Sequence, residues 1–271
     1  MKKYLFPVTI ALAVFALASC NIKTKKSDDN SELTAEKWIQ LFNGKDLHDW
    51  TVKIKGYEVG ENYGNTFRVE DGLMRVSYDE YDTFDERYGH IFYKGEFSNY
   101  KIRVEYRIYG EQCPGAPGWA YRNSGIMVHG QTPESMDVDQ DFPTSIEVQL
   151  LGSDSTIERT NLNVCTPGTN IVIDGELILD HCTNSTSDYF FGDDWVTVEA
   201  EVRGNDVIHH IVNGDTVMTY QKPQLDERDS TFPKLIELNG GDIMLHKGTI
   251  SLQSEGHPID FRKVELLNLD N

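Results

Sequence analysis

The segment Lys101-Ile-Arg-Val-Glu-Tyr-Arg-Ile108 alternates apolar and charged residues without a break. Such alternation is typical of a β-strand with one buried side and one side that faces water. The same pattern returns in residues 145–150, 195–202 and 207–212. Asn213-Gly214, directly after the last of these segments, is a strong signal for a two-residue hairpin turn. The sequence therefore predicts antiparallel strands joined by short turns.

About a dozen such strands are predicted beyond residue 38, a number typical of a sandwich of two sheets. The last two are residues 248–253 and 259–266. We find no internal repeat and no second linker, so the sequence predicts one all-β domain built from two antiparallel sheets. Only residues 34–41 have a pattern that favours a short helix.

The start of the chain carries an export signal. Two lysines precede an apolar run that is shorter than the roughly 20 residues of a membrane span. Residues 17–20, Leu-Ala-Ser-Cys, resemble the bacterial lipobox, whose cysteine receives a lipid; the alternative is an ordinary secretory signal with a chance cysteine. We expect a signal peptide over residues 1–19, a tether anchored by lipidated Cys20 over residues 20–37, and the folded domain over residues 38–271. The protein would be an exported, membrane-anchored lipoprotein on an outer-membrane, periplasmic or cell-surface face.

The charge and the cysteines limit the function further. The net charge of −19 argues against binding to nucleic acid, which needs clustered Lys and Arg. With Cys20 carrying lipid, three cysteines are left, and an exported protein can keep disulfides. Cys165 and Cys182 flank a hairpin-like segment, residues 171–179, whose two arms would bring them together. We therefore predict a Cys165–Cys182 disulfide, with Cys113 left over.

Four segments resemble a known family when they are taken together and in order. They are Leu41-Phe-Asn-Gly-Lys-Asp-Leu-His-Asp-Trp50, Asn123-Ser-Gly-Ile126, Ile146-Glu-Val-Gln149, and the closing pair of residues 248–253 and 261–266. They resemble the 3-keto-disaccharide hydrolase family, over about residues 38–269. The resemblance implies a concanavalin A-like, laminarinase-type jelly-roll sandwich.

The resemblance also implies a chemistry. Family members act on glycosides whose sugar has been oxidised to a ketone at C3. That ketone acidifies the C2 proton, so a base can remove it and expel the C1 substituent. This β-elimination leaves a 2-hydroxy-glucal, to which water can add. The expected partner is therefore an oligosaccharide or glycoside substrate.

The strand with residues 147–152 carries the first candidate for catalysis. Laminarinase-type hydrolases have Glu-x-Asp-x-x-Glu on the comparable strand, and retaining hydrolysis needs two carboxylates about 5 Å apart. Here the three positions are Glu147, Gln149 and Gly152, which disfavours a conventional glycoside hydrolase. Glu147 and Gln149 share one strand face, so Glu147 is a candidate base or metal ligand.

Two further residues complete the predicted catalytic set. Histidine ordinarily titrates near neutrality, so His129 could take the C2 proton or, with Glu147, bind a divalent metal ion. Arg262 matches a family position and could stabilise the enolate oxygen. The plainer alternatives are a histidine at the rim and a surface ion pair. Residues 137–141 hold three alternating aspartates, which fit a solvated acidic loop better than an EF-hand because the glycine and the distal glutamate are missing.

Seven residues are candidates for substrate binding, each with a structural alternative. Two amides could hold sugar hydroxyls, aromatic rings in the Gly/Pro-rich loop could stack on a sugar, and cationic or imidazole groups could line the cleft. These residues are Asn123, Gln149, Lys94, Arg107, Trp119, Tyr121 and His181. The leading function is an enzyme that cleaves 3-keto-glycosides, and the alternative is a non-catalytic glycan-binding lipoprotein, since one fold serves both.

Overall fold

Strands dominate the computed structural model, which describes residues 37–270. The predicted signal peptide, Cys20 and residues 20–36 of the predicted tether lie outside the described residues. The strands are β1 Ile39–Gln40, β2 Trp50–Ile54, β3 Phe67–Glu70, β4 Leu73–Val76, β5 Gly89–Phe97, β6 Asn99–Ile108, β7 Asn123–Gly130, β8 Ile146–Leu151, β9 Val164–Cys165, β10 Thr169–Ile173, β11 Glu176–Ile178, β12 Cys182–Thr183, β13 Val196–Arg203, β14 Val207–Val212, β15 Asp215–Leu225, β16 Gly248–Ser254 and β17 Ile259–Asn268. One α-helix, α1 Phe232–Leu238, lies between β15 and β16.

Ten strands form the first sheet, in the order β11-β10-β15-β14-β13-β6-β17-β4-β3, with β1 also paired to β17. The alternating sequence of β6 gives it a buried and a more exposed face: Ile102, Val104 and Tyr106 enter the core. Neighbouring β13 and β14 alternate in the same way. This sheet has one wet face, as its sequence pattern predicts.

Seven strands form the second sheet, in the order β12-β9-β8-β7-β16-β5-β2. Its inner face packs Ile126, Val148 and Leu252 into the core shared with the first sheet. Its outer face is also buried, since every residue of β7 and β16 is buried. Residues 131–144 cover part of that face: the Lys53 ammonium donates to the Val138 carbonyl at 2.8 Å. The predicted two-sheet jelly-roll sandwich is confirmed.

A β-bulge interrupts β7 near its end. Thr249 pairs with Gly130 but Ser251 pairs with Met127, so β7 has one residue more than β16 between these pairs. His129 lies in this bulge with φ of 50°, a left-handed conformation that is uncommon for a residue other than glycine. The bulge breaks the alternation that places Gly125 and Met127 on one face.

Local predictions have mixed outcomes. The Cys165–Cys182 disulfide is present, with the two Cα atoms 4.1 Å apart on the paired strands β9 and β12. Cys113 is free and buried. The prediction of a helix over residues 34–41 is wrong for Ile39–Gln40, which pairs with β17 as an edge strand. In residues 37–270 no helix is long and apolar enough to cross a membrane.

Candidate active site

A pocket of about 390 Å³ opens on the outer face of the seven-stranded sheet. Its floor is polar, and its walls are largely apolar. The floor residues are Asn123, Glu147, Gln149 and Glu255, and the walls are Trp119, Phe142, Pro167, His181 and the Cys165–Cys182 disulfide. Such a pocket, apolar with a few convergent polar groups, is the usual form of a small-molecule binding site.

Glu147 occupies the floor because of its register in the sheet. It lies opposite Met127 on β7 and opposite Cys165 on β9, so its side chain shares the outer face with the disulfide. The residue is 6% exposed, and its Oε1 atom has no hydrogen-bond partner. Gly125 makes the room, since a Cβ atom there would lie 2.6 Å from Glu147 Oε1.

Glu255 brings a second carboxyl group to the same pocket. It follows the last residue of β16 and is 3% exposed, and its Oε2 atom has no partner. Burial raises the pKa of Glu147 to about 8. Burial and the nearby charge of Glu147 raise the pKa of Glu255 well above its usual value. The two groups therefore hold protons at pH values where ordinary carboxyl groups are ionised.

Arg159 is a cation that affects the pKa of Glu255, but it is hydrogen-bonded to backbone carbonyls and not to the glutamate. The Arg159 guanidinium donates through Nη2 to the carbonyls of Tyr121, Arg122 and Gly152. Its charge lowers the pKa of Glu255, but burial and the charge of Glu147 outweigh it. Among residues 37–270 neither glutamate has an ion-pair partner. The pocket therefore keeps its carboxyl groups available for a ligand.

More unpaired polar atoms lie near this floor. Asn123 is 3% exposed and its Oδ1 atom has no partner. His90 and Gln253 are paired across β5 and β16, are fully buried, and none of their side-chain nitrogen or oxygen atoms has a protein partner. Buried polar groups in native proteins are almost always hydrogen-bonded to protein, ordered water or ligand. This row of atoms is therefore suited to bind water or a polar ligand.

The wall of the pocket offers an aromatic surface. Trp119 is 54% exposed, and its ring stacks on Tyr88 with centroids 5.8 Å apart. Phe142 lies against the same tyrosine at 5.0 Å. Aromatic rings of this kind bind the apolar C–H faces of sugars well.

The structure brings five of the predicted residues together: Glu147, Asn123, Gln149, Trp119 and His181 all line this pocket. Tyr121 is not among its lining residues, and its hydroxyl donates to Asp154 Oδ2 at 2.7 Å. Gln149 accepts a hydrogen bond from the Asn163 amide at 3.2 Å, which fixes its orientation.

The predicted cationic residues lie elsewhere. Arg262 and Arg107 belong to β17 and β6 of the other sheet, where Arg262 pairs with Glu105 at 2.5 Å and Arg107 pairs with Asp260 at 2.8 Å. Lys94 is exposed and pairs with Asp49 at 2.8 Å. Because their strands or partners hold them away from the floor, the structure does not combine these three residues with Glu147.

His129 is also separated from Glu147. The bulge in β7 turns it toward the Gly204 carbonyl, 2.8 Å from Nε2, and it lines a different pocket. The predicted metal pair of Glu147 and His129 is therefore not assembled. Across residues 37–270 no group of three or more His, Cys, Asp or Glu is arranged around a metal position. In the acidic loop, Asp137 and Asp141 instead pair with Lys234 and Lys55.

The sequence reasoning missed Glu255, Phe142 and Pro167, which line the pocket, and also His90 and Gln253 near its floor. A signal for Glu255 existed, because it stands two residues after Gln253 of the closing motif. Nothing in the sequence pattern marks Phe142, which reaches the pocket from an irregular loop.

The comparison with protein families decides the assignment. The family model described as "3-keto-alpha-glucoside-1,2-lyase-like domain" matches residues 37–267. The chain belongs to this family. Membership in the 3-keto-alpha-glucoside-1,2-lyase-like family supports a carbohydrate-related function. The pocket with aromatic rings in its wall is consistent with such a function. No curated protein sequence matches the chain significantly.

The comparison with solved structures gives matches of low sequence identity. A putative glycosyl hydrolase from Parabacteroides distasonis ATCC 8503 is 18% identical with a TM-score of 0.48, and the match covers 87% of this chain and 95% of that one. The β-glucanase of Bacillus licheniformis is 13% identical with a TM-score of 0.47, covering 86% and 97%. The carbohydrate-binding module CBM66 of Bacillus subtilis is 8% identical with a TM-score of 0.39, covering 67% and 82%.

Proposed function

We propose that the protein is an enzyme that cleaves 3-keto-glycosides by removing the C2 proton and eliminating the C1 substituent. The observation that carries this proposal is the pair Glu147 and Glu255, two buried carboxyl groups without ion-pair partners in one aromatic-walled pocket. Two carboxyl groups with raised pKa values can act as base and acid on one substrate.

Glu147 and Glu255 together make both proton transfers of the proposed step. The ionised carboxylate takes the C2 proton, and the electrons of that C–H bond form the C1–C2 double bond as the C1–O bond breaks. The protonated carboxyl group gives its proton to the departing oxygen. The products are an alcohol and a 2-hydroxy-glucal that retains the 3-ketone. Addition of water to the double bond completes a net hydrolysis.

The other residues of the pocket serve binding. Asn123 and Gln149 present amide groups on the floor, suited to the hydroxyl groups of a sugar. Trp119 offers its exposed ring to an apolar sugar face. The apolar walls exclude water from the carboxyl groups; this exclusion raises the pKa of both groups, and the charge of Glu147 adds to the rise at Glu255.

The proposal includes a divalent metal ion on the same floor. Asn123 Oδ1, Glu147 Oε1 and Glu255 Oε2 are three buried oxygen atoms without partners, and oxygen ligands suit hard cations. These three residues would hold the ion. When bound, it would lower the pKa of both carboxyl groups and stabilise negative charge on the substrate ketone.

The test offers the purified protein methyl 3-keto-α-glucoside and methyl α-glucoside in D₂O, with and without a chelator. We expect release of methanol from the keto sugar alone, with deuterium at C2 of unreacted substrate or of the 3-keto-glucose formed by addition of D₂O to the 2-hydroxy-glucal. Loss of turnover on chelation would assign the metal ion to the reaction. Binding of both sugars with turnover of neither would overturn the enzyme and favour a non-catalytic glycan-binding protein.

We further propose that the protein is exported and held to a membrane by lipid on Cys20, as residues 17–20 indicate. In a bacterial host grown with labelled palmitate, the full chain should then incorporate the label, and Cys20→Ala should not. A full chain that incorporates no label, or a Cys20→Ala protein that is labelled equally, would contradict the lipid anchor.

A further inference from the structure

A second pocket, of about 530 Å³, lies between the bulged end of β7 and α1. It shares no lining residue with the pocket that contains Glu147. One wall consists of leucines, namely Leu225, Leu235, Leu238 and Leu245. The opposite side carries His129 and the polar residues that follow it along the chain, Gln131, Thr132 and Ser135. The pocket is therefore amphipathic, with an apolar half and a polar half.

His129 is the buried recognition group of this second pocket. It is 2% exposed, and its Nε2 atom lies 2.8 Å from the Gly204 carbonyl oxygen. A carbonyl oxygen only accepts, so Nε2 carries the hydrogen. Burial lowers the pKa of His129 to about 4, so the ring is neutral at pH 7. Nδ1 is then a bare acceptor, and it has no partner.

The lysines at the rim are already neutralised. Lys234 pairs with Asp137 and Lys247 pairs with Glu96, both at 2.7 Å. Glu134, the remaining charged residue of the lining, is exposed. An anionic ligand would therefore meet no free cation among the lining residues. The pocket offers an apolar wall, and among its buried side-chain atoms one acceptor, Nδ1 of His129, has no partner.

We propose that this second pocket binds a small, largely apolar molecule with one hydroxyl group, such as a phenol. Its apolar part lies against the leucines, and its hydroxyl donates to Nδ1 of His129. The backbone supports a functional role for this position, because a non-glycine residue with positive φ at a bulge carries strain that is concentrated at functional sites. The proposal is independent of the reaction at Glu147.

The test compares two probes with the same ring system, one with a donor hydroxyl and one in which a methyl group replaces the donor hydrogen. Calorimetry at pH 7 should show that 1-naphthol binds about tenfold more tightly than 1-methoxynaphthalene, because the ether leaves the buried acceptor unpaired. Equal affinity of the two probes would overturn the role of His129. Absence of saturable 1-naphthol binding up to its solubility limit would overturn the site.

Variants locate the binding. Leu238 is 65% exposed, so Leu238→Arg can close the pocket mouth without disturbing the core, and it should weaken 1-naphthol binding by about tenfold or more. The matched control is Leu177→Arg, on a leucine that is 50% exposed on β11 and outside the pocket, which should not change binding. Trp119→Ala should also leave binding unchanged. Loss of binding in Trp119→Ala instead of Leu238→Arg would move the probe to the other pocket and overturn the proposal.

Discussion

The two sheets of the sandwich treat polar side chains on their outer faces differently. On the ten-stranded sheet the charges are paired: Arg103 with Glu199 and Glu265, Arg262 with Glu105. On the seven-stranded sheet Glu147 and His90 are buried and retain polar atoms without protein partners. Exposed ion pairs contribute about 0–1 kcal/mol each, whereas an unpaired buried polar group costs about 1–3 kcal/mol. The face with unpaired buried polar groups is the less stable arrangement, and it is the face that carries the pocket.

The largest expected effect is a loss of enzyme activity on substitution of Glu147, with no such loss on the outer face of the other sheet. Glu147→Gln should lower kcat/KM on a 3-keto-glycoside by about 10²–10⁴-fold, since it removes a proton-transfer group. Arg262→Gln, on the other sheet, should leave kcat/KM within about twofold, because Arg262 only forms a partly exposed ion pair with Glu105. Initial rates with purified, folded variants decide the matter. If Arg262→Gln lost as much activity as Glu147→Gln, the contrast between the sheets would fail.

For stability the order should be reversed: a substitution on the ten-stranded sheet should have a larger effect than Glu147→Gln. Asp260 is fully buried and holds Arg75 and Arg107, each at 2.8 Å. Asp260→Ala should therefore lower the free energy of unfolding by about 3 kcal/mol, because two arginines lose their shared partner. Glu147→Gln should be neutral or stabilising in the same urea titrations. An Asp260→Ala protein as stable as the parent would show that the paired face contributes little.

The pH dependence of stability provides a third comparison. A carboxyl group with a raised folded pKa binds its proton more tightly in the folded state, so its contribution is lost as pH rises from the unfolded value of 4.5 to about 8. Between pH 5 and 8 the parent should lose stability relative to Glu147→Gln, by roughly 1 kcal/mol per pH unit in the lower part of this range and less near pH 8.

Glu105→Gln is the control for that measurement. The Arg262 guanidinium lowers the pKa of Glu105 below its usual range, so this group is ionised throughout the window from pH 5 to 8. Glu105→Gln should therefore show the slope of the parent. Parallel curves for the parent and Glu147→Gln would contradict a raised pKa at Glu147.

The smallest expected effect concerns the aromatic wall. Trp119→Ala should raise KM about fivefold with little change in kcat, because stacking of about 1 kcal/mol holds substrate and transition state alike. Tyr189→Ala is the control, since Tyr189 is 45% exposed and does not line this pocket. A large fall in kcat for Trp119→Ala would give the ring a part in the reaction itself.

Much of the fold was readable because alternation and hairpin turns are local signals. Val207–Val212 and the turn at Asn213-Gly214 are found where the sequence places them. The two-residue strand Ile39–Gln40 was not predictable, because its structure comes from pairing with residues more than 200 positions away. Helix α1 is seven residues long and contains a proline, too short for a clear helical period.

The site was predictable only in part, and for a physical reason. Residues two apart on a strand share a face, so Glu147 and Gln149 could be placed together. Alternation does not tell which sheet a strand joins, so it could not show that Arg262 and Arg107 lie on the other sheet from Glu147. A bulge of one residue is invisible in the pattern, so His129 was expected beside Glu147, whereas the structure places it at the second pocket. Glu255 lies in a loop, where periodicity gives no information.

The glycine beneath Glu147 has a consequence for how this protein can evolve. A Cβ atom at position 125 would lie 2.6 Å from Glu147 Oε1, so a side chain there requires the glutamate to move from its place on the floor. A lineage that keeps the glutamate in this place is therefore expected to keep the glycine. Related sequences should therefore change at both positions or at neither.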